Sequence, residues 1–114
     1  MSAFHAHRFA LQFDATLWVW AGKAAWYFVT VPPAESAQFK EIDCIALQSL
    51  SGKLRRGWGS IPAQVSVGGS NWATSIFPDK ATGCYFLPIK ASVRKAEALV
   101  PEQTLQLTVS VALP

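Results

Sequence analysis

Residues 9–20, FALQFDATLWVW, decide the fold class because their side chains alternate in character with a period of two. Apolar residues fill one set of alternate positions, namely Phe9, Leu11, Phe13, Ala15, Leu17 and Val19. The other set consists of Gln12, Asp14, Thr16, Trp18 and Trp20. A period of two with one apolar face is typical of a strand packed against a core on one side. The stretch therefore predicts a β-strand whose second face carries two tryptophans.

Five more strands are predicted outward from this stretch. Residues 26–31, WYFVTV, are β-branched and aromatic and should pair back on the first strand as a hairpin. Residues 104–113 alternate as clearly as the first strand, and Gly68-Gly69 provides a tight turn between two others. The remaining strands are predicted at residues 61–67, 71–77 and 84–89.

Two helices complete the predicted element order. Helix one begins near Pro33 and Glu35, ends before Gly52, and has its apolar stripe at Phe39, Ile42, Ile45, Ala46 and Leu50. Helix two is short, with Ser92 as a candidate N-cap and Pro101 as its stop. Its apolar stripe is predicted at Val93, Ala96, Leu99 and Val100.

The resulting order is ββαβ followed by ββαβ, and the second strands of the two halves read alike, YFVTV at 27–31 against YFLPI at 85–89. A repeated unit that cannot bury its own sheet face predicts that the halves interlock into one closed or nearly closed six-stranded barrel. Coincidence between short β-rich words is the simpler alternative, since such words are common.

Composition places the chain among globular proteins. It has 114 residues, of which 51% are hydrophobic and 15% charged, whereas a disordered chain combines low hydrophobicity with high charge. We expect one domain over residues 9–114, a disordered stretch over residues 1–8, and a cytoplasmic location without a membrane segment. Cys44 and Cys84 are predicted to be buried reduced thiols, because no CxxC or zinc-ligand spacing is present.

Two stretches, FDATLWVWAGKAAWYFVTVP at 13–32 and RGWGSIPAQVSVGGSNWATSIFPDKATGCYFLPIKASVRKAEAL at 56–99, resemble a bacterial family of unknown function, domain of unknown function nineteen-oh-five (DUF1905). The resemblance implies a double-split, cradle-loop-like β-barrel and implies no established activity. One departure is visible before the last strand, where Pro101-Glu102-Gln103 stands in place of the family's usual Gly-Asp turn.

No catalytic residues are predicted. The two histidines, His5 and His7, lie near the start of the chain, and no Ser-His-Asp, HExxH or phosphate-loop pattern occurs. The seven carboxylates are scattered over surface-like positions, whereas a catalytic site needs titratable groups that converge. The sequence therefore predicts a non-enzymatic binding module without a metal or other cofactor.

Basic residues concentrate in two short segments that contain no acid, and these suggest binding of an anion such as a phosphorylated compound or nucleic acid. Lys90, Arg94 and Lys95 are predicted around the first turn of helix two, where cations oppose the helix dipole unless an anion docks there. The alternative is that they are solvated or that Arg94 pairs with Glu97. The whole predicted anion site comprises Arg55, Arg56, Trp58, Lys90, Arg94 and Lys95. The alternative for Trp58 is that it is a core residue that closes one end of the barrel.

The second hypothesis is a protein-interaction or small apolar-ligand module that works through tryptophans. Trp18 and Trp20 lie on the polar face of the first strand, where they line a groove unless a helix covers that face. The predicted aromatic groove consists of Trp18, Trp20 and Trp72. Oligomeric state and ligand identity are left open by the sequence.

Overall fold

The computed structural model describes residues 7–22, 25–49 and 59–113. This part of the chain is mainly β, with seven strands and two helices. Their bounds are β1 Arg8–Thr16, β2 Trp18–Ala21, β3 Ala25–Thr30, α1 Pro33–Ser49, β4 Ile61–Val67, β5 Ser70–Pro78, β6 Tyr85–Pro88, α2 Ala91–Ala96 and β7 Thr104–Ala112.

The strand count corrects the prediction of six, because the first predicted strand breaks at Leu17. Residues before the break pair with β7, whereas residues after it pair with β3. At the break, the Leu17 backbone bonds to the turn before β7: its N–H donates to Gln103 O (2.9 Å), and its carbonyl accepts from the Glu102 N–H (2.8 Å). One continuous segment thus changes partners, and its side-chain alternation alone does not reveal that change.

The strands form one antiparallel sheet in the order β1-β7-β4-β5-β6-β3-β2. The two edge strands, β1 and β2, are consecutive in the chain, so the sheet curls into a half-barrel that brings its ends toward each other. The concave side holds the apolar core, and the fully buried side chains include Leu17, Val29, Ile76, Leu87 and Leu107.

The strand pairing is unchanged when the two halves of the chain are exchanged. If β1 with β2 corresponds to β5, β3 to β6 and β4 to β7, then the β1–β7 pair maps onto β5–β4 and the β2–β3 pair onto β5–β6. The remaining pairs, β3–β6 and β4–β7, map onto themselves. Because β5 is unbroken, it contributes to both halves of the sheet as one strand, whereas its counterpart is divided at Leu17.

Helix α1 is fixed to the sheet at its N-terminal end. It begins at Pro33 and has Glu35 in its first turn, as predicted. Ser36 is buried, and its hydroxyl donates to Val31 O (2.9 Å) while accepting from the Tyr85 N–H (3.0 Å). One side chain therefore links the helix to the residue after β3 and to β6, and the fully buried Phe39 follows one turn later.

Among its described residues, the predicted apolar stripe of α1 is buried only in its first part, and Leu50 lies outside the described residues. Phe39 is fully buried and Ile42 is partly buried, whereas Ile45 is 46% exposed. Cys44 is also exposed, which corrects the prediction that both thiols are buried, and Cys84 alone is in the interior. The helix extends past the edge of the core. Helical spacing therefore predicts which face of a helix is apolar, but it does not predict how much of that face the rest of the protein covers.

Helix α2 is shorter than predicted, and this overturns the argument about its charges for Arg94 and Lys95, whereas Lys90 stays at its N-terminus. It spans Ala91–Ala96, with Lys90 rather than Ser92 at the N-cap, so Arg94 and Lys95 lie in its last turn. Cations near a helix C-terminus complement the helix dipole instead of opposing it. Glu97, which the alternative interpretation offered as a partner of Arg94, instead accepts a hydrogen bond from Ser70 Oγ (2.7 Å) at the β4–β5 turn.

Two backbone positions explain local turns. Gly68 has a φ of +56° in the β4–β5 hairpin, and a Cβ at this position would collide with the Glu97 carboxylate. Glu102 has a φ of +75° without being glycine, in the turn before β7. The Glu102 N–H bonds to Leu17, so the contact at the strand break holds this residue in the left-handed region.

The first strand begins at Arg8, one residue earlier than predicted. Arg8 belongs to β1 and pairs with Ala112, and its guanidinium donates from Nε to Ser110 Oγ (2.9 Å) and from a second nitrogen to Ser110 O (2.8 Å). Of the predicted disordered stretch, residues 1–6 lie outside the described residues. Within residues 7–22, 25–49 and 59–113, neither helix is long and apolar enough to cross a membrane.

Candidate functional site

A groove of about 480 Å³ lies on the outer face of the sheet, across β2, β3, β6 and β5. We call it the aromatic groove. Six aromatic side chains and one proline line it: Trp18, Trp20, Trp26, Phe28, Phe77, Phe86 and Pro88.

Strand register brings these side chains together. In the antiparallel pairs, Trp18 lies opposite Phe28, Trp20 opposite Trp26, and Phe77 opposite Phe86. Residues opposite each other share a face of the sheet, so the aromatic positions of four strands form one layer. The alternate residues of the same strands, Val29 and Leu87, are fully buried on the core side.

Phe28 is at the centre of the ring contacts. Its ring centroid lies 4.9 Å from that of Trp18, 5.1 Å from that of Phe86 in an edge-to-face arrangement, and 6.2 Å from the nearly parallel ring of Trp26. Phe86 continues the chain to Phe77 at 5.7 Å. These separations are those of favourable aromatic pairs, so the floor of the groove is a connected layer of rings.

Two tryptophans at the end of this layer are open to solvent. Trp20 is 54% exposed and Trp26 is 53% exposed. The Trp20 ring lies over Gly22, where an added Cβ would be 2.5 Å from its Cζ3 atom. A residue without a side chain is therefore needed at position 22 for Trp20 to keep this position.

The described residues that line the groove contain no ionisable group. Their polar side-chain atoms are the three indole N–H groups, and that of Trp18 donates to Thr30 Oγ1 (3.0 Å). Within the described ranges, no cluster of three or more His, Cys, Asp or Glu side chains is placed to hold a metal ion. The groove is suited to contact with apolar or aromatic surfaces, and its lining provides no acid or base.

The family model of Domain of unknown function (DUF1905) matches residues 13–109. The chain belongs to this family. The match includes both stretches that resemble the family, residues 13–32 and 56–99, and the family description assigns no activity. A search of curated proteins found no match.

In this DUF1905 member, the structure brings together two of the three predicted groove tryptophans. Trp18 and Trp20 line the groove, whereas Trp72 is 7% exposed and packs in the core, opposite Val65 in the register. Sequence reasoning missed Trp26 and Phe28, although they occupy alternate positions of the predicted second strand. The hairpin that was predicted between this strand and the first already places all four residues on one face, so the signal was present in the sequence.

Half of the predicted anion site falls outside the described residues, namely Arg55, Arg56 and Trp58. Lys90 and Lys95 are exposed. Arg94 is half-buried: its Cζ lies 3.6 Å from the centroid of the Tyr27 ring, and its Nε donates to Ile89 O (3.1 Å). Arg94 therefore contacts β3 and the segment before α2, and it holds the short helix against the sheet.

A second cavity, of about 310 Å³, lies beside the turn after β5. Its lining includes Lys40, Lys80 and Cys84. The Asp79 carboxylate at this turn accepts hydrogen bonds from the Ala81 N–H (3.1 Å) and from Thr82 Oγ1 (3.1 Å). The carboxylate thus stabilises its own turn. The lining of this cavity mixes charged, polar and apolar residues, whereas that of the aromatic groove is uniformly aromatic apart from one proline.

Proposed function

We propose that this chain is a non-enzymatic binding module whose aromatic groove holds a small molecule with an apolar face. The observation that supports this most is the exposure of Trp20 and Trp26 at the end of a layer of packed rings. The volume of about 480 Å³ is within the range of small-molecule sites.

Folding alone gives no reason for this arrangement. The core is complete on the other face of the same strands, where Val29 and Leu87 are fully buried. Contiguous exposed apolar surface on a small domain usually marks a binding site. Tryptophan is also one of the residues enriched among those that provide most of the binding energy at interfaces.

The proposal predicts that indole, a neutral aromatic probe, binds in the aromatic groove. The chain has five tryptophans, so the indole N–H region of a ¹H–¹⁵N spectrum should contain five signals. During an indole titration, we expect the signals of Trp18, Trp20 and Trp26 to shift in a saturable manner. The signal of Trp72 should stay in place, because this residue is in the core.

A pair of variants tests whether the binding is local. Trp26→Leu should weaken indole binding at least about fivefold, since a stacked aromatic contact contributes about 1 kcal/mol or more. Ile45→Ala removes an equally exposed apolar side chain from α1 and should leave binding unchanged. Equal loss in both variants, or shifts that never saturate, would refute the proposed function.

Anion binding is the second candidate function, and the exposure of Lys90 and Lys95 supports it. We predict that phosphate compounds or nucleic acid at low salt raise the melting temperature, and that the double variant Lys90→Gln, Lys95→Gln loses this shift. Arg94 should be retained, because its contact with Tyr27 supports α2. A wild-type protein without any shift at low salt excludes this function.

We further propose that the curled sheet is a double-split β-barrel of the cradle-loop type. The change of partners at Leu17 and the equivalence of the two halves support it, because they describe two interlocked units of the same topology. The cytoplasmic location stays a prediction from sequence.

A further inference from the structure

We propose that the ligand of the aromatic groove is an organic cation without N–H groups, such as a quaternary ammonium head group. This inference rests on the proposed function and adds the ligand class. It follows from charge complementarity between the lining and the ligand, and from the hydrogen-bonding groups that the lining offers.

The lining presents aromatic ring systems to the ligand. Three of its seven side chains are indoles, and two of them, Trp20 and Trp26, are half exposed. The face of an aromatic ring is negative, and tryptophan attracts cations more strongly than phenylalanine or tyrosine. Because no cationic side chain is among the described lining residues, the negative ring faces are not already paired within the groove.

The hydrogen-bonding groups of the lining distinguish between cations. Its polar side-chain atoms are indole N–H groups, which donate and do not accept. A primary ammonium ion would lose hydration at its three N–H donors and find no side-chain acceptor among these residues. A quaternary ammonium ion has no donors to satisfy, and its methyl groups pack well on rings.

The openness of the groove also favours a cation. Trp20 and Trp26 are accessible over about half of their surface, so a bound head group keeps water on its outer side. A charged ligand therefore avoids full dehydration, which lowers the free-energy cost of bringing a cation onto the rings. The net charge of +3 repels cations at long range, and 150 mM salt screens this repulsion to about 8 Å.

The test compares choline with 3,3-dimethylbutan-1-ol, which has the same shape but carbon in place of the charged nitrogen. Both are titrated at 150 mM salt into the wild-type chain, and the indole N–H signals are followed as for indole. We expect choline to bind at least about fivefold more tightly than the neutral isostere, because the cation–π contribution is absent in the latter. Trp26→Leu should remove most of this preference, and Ile45→Ala should not change it.

The possible results separate the two proposals. If indole binds and choline shows no preference over its isostere, the cation inference is wrong and the proposed function stands. If none of the three probes binds, both are wrong. If the Trp20 and Trp26 signals instead change with protein concentration, and sedimentation shows a dimer, the groove is a contact between copies of the chain, and both proposals are again overturned.

Discussion

Phe39→Ala is expected to lower the free energy of unfolding by about 3–5 kcal/mol, the usual loss when a buried phenylalanine is truncated in a core. Phe39 is a fully buried residue of α1, and its ring meets that of Phe9 edge to face with centroids 6.0 Å apart. Alanine would leave a cavity between helix and sheet that neighbouring strands are too constrained to fill. For a domain of this size, the melting temperature should fall by more than about 10 °C.

The matched control for this substitution is on the same helix. Ile45 is also part of the predicted apolar stripe, yet it is 46% exposed. Ile45→Ala should therefore change the free energy of unfolding by no more than about 1 kcal/mol in chemical denaturation. Similar losses at both positions would mean that the whole stripe of α1 packs on the core, contrary to the structure.

Leu17→Ala is expected to destabilise the fold by about 2–5 kcal/mol, although it changes one residue between two edge strands. Edge positions usually tolerate substitution. Leu17 is fully buried. It lies where the segment stops pairing with β7 and begins to pair with β3, and its side chain fills the interior at that point. Alanine keeps both backbone hydrogen bonds to the turn at residues 102–103, so the loss measures side-chain packing alone.

Leu113→Ala provides the comparison for Leu17→Ala, since Leu113 follows the last strand and is 40% exposed. Urea unfolding of the two variants should differ in midpoint, with unchanged slopes if both stay two-state. A small effect at Leu17, comparable to that at Leu113, would contradict the conclusion that residues 8–21 form both edge strands of the curled sheet and bury Leu17 between them.

Most of the strands could be predicted because their signal is local. The alternation in residues 9–20 and 104–113 reflects the geometry of a strand, whose successive side chains point to opposite faces whichever strand it pairs with. The glycine pair at the β4–β5 turn and the two prolines at the start of α1 likewise follow from backbone conformation. Family resemblance added the expected barrel type, and the family match confirms the resemblance.

The break at Leu17 could not be predicted, since the inward–outward alternation shows no interruption there. What changes is the strand that pairs with the segment, and this depends on the turn at residues 102–103, far along the chain. The end of α2 was missed for a similar reason. Ala98 has a φ of +53° after the helix, an unusual conformation for alanine that local propensity does not anticipate.

The candidate site was predictable in part. Trp18 and Trp20 stood out as large apolar residues on the polar face of a strand, and both line the groove. Trp72 was grouped with them from its residue type, but it occupies an inward position of β5 between exposed Asn71 and Ala73. The alternation within β5 identifies its buried face, so the pattern of that strand would have corrected the assignment.

The most direct test of the central claim is an isotope-filtered nuclear Overhauser experiment on the labelled chain with bound indole. The account predicts cross-peaks from the probe to ring protons of Trp20, Trp26 and Phe28, and none to those of the buried Trp72. Cross-peaks that arise only from residues outside the aromatic groove would contradict the assignment of this face as the binding site.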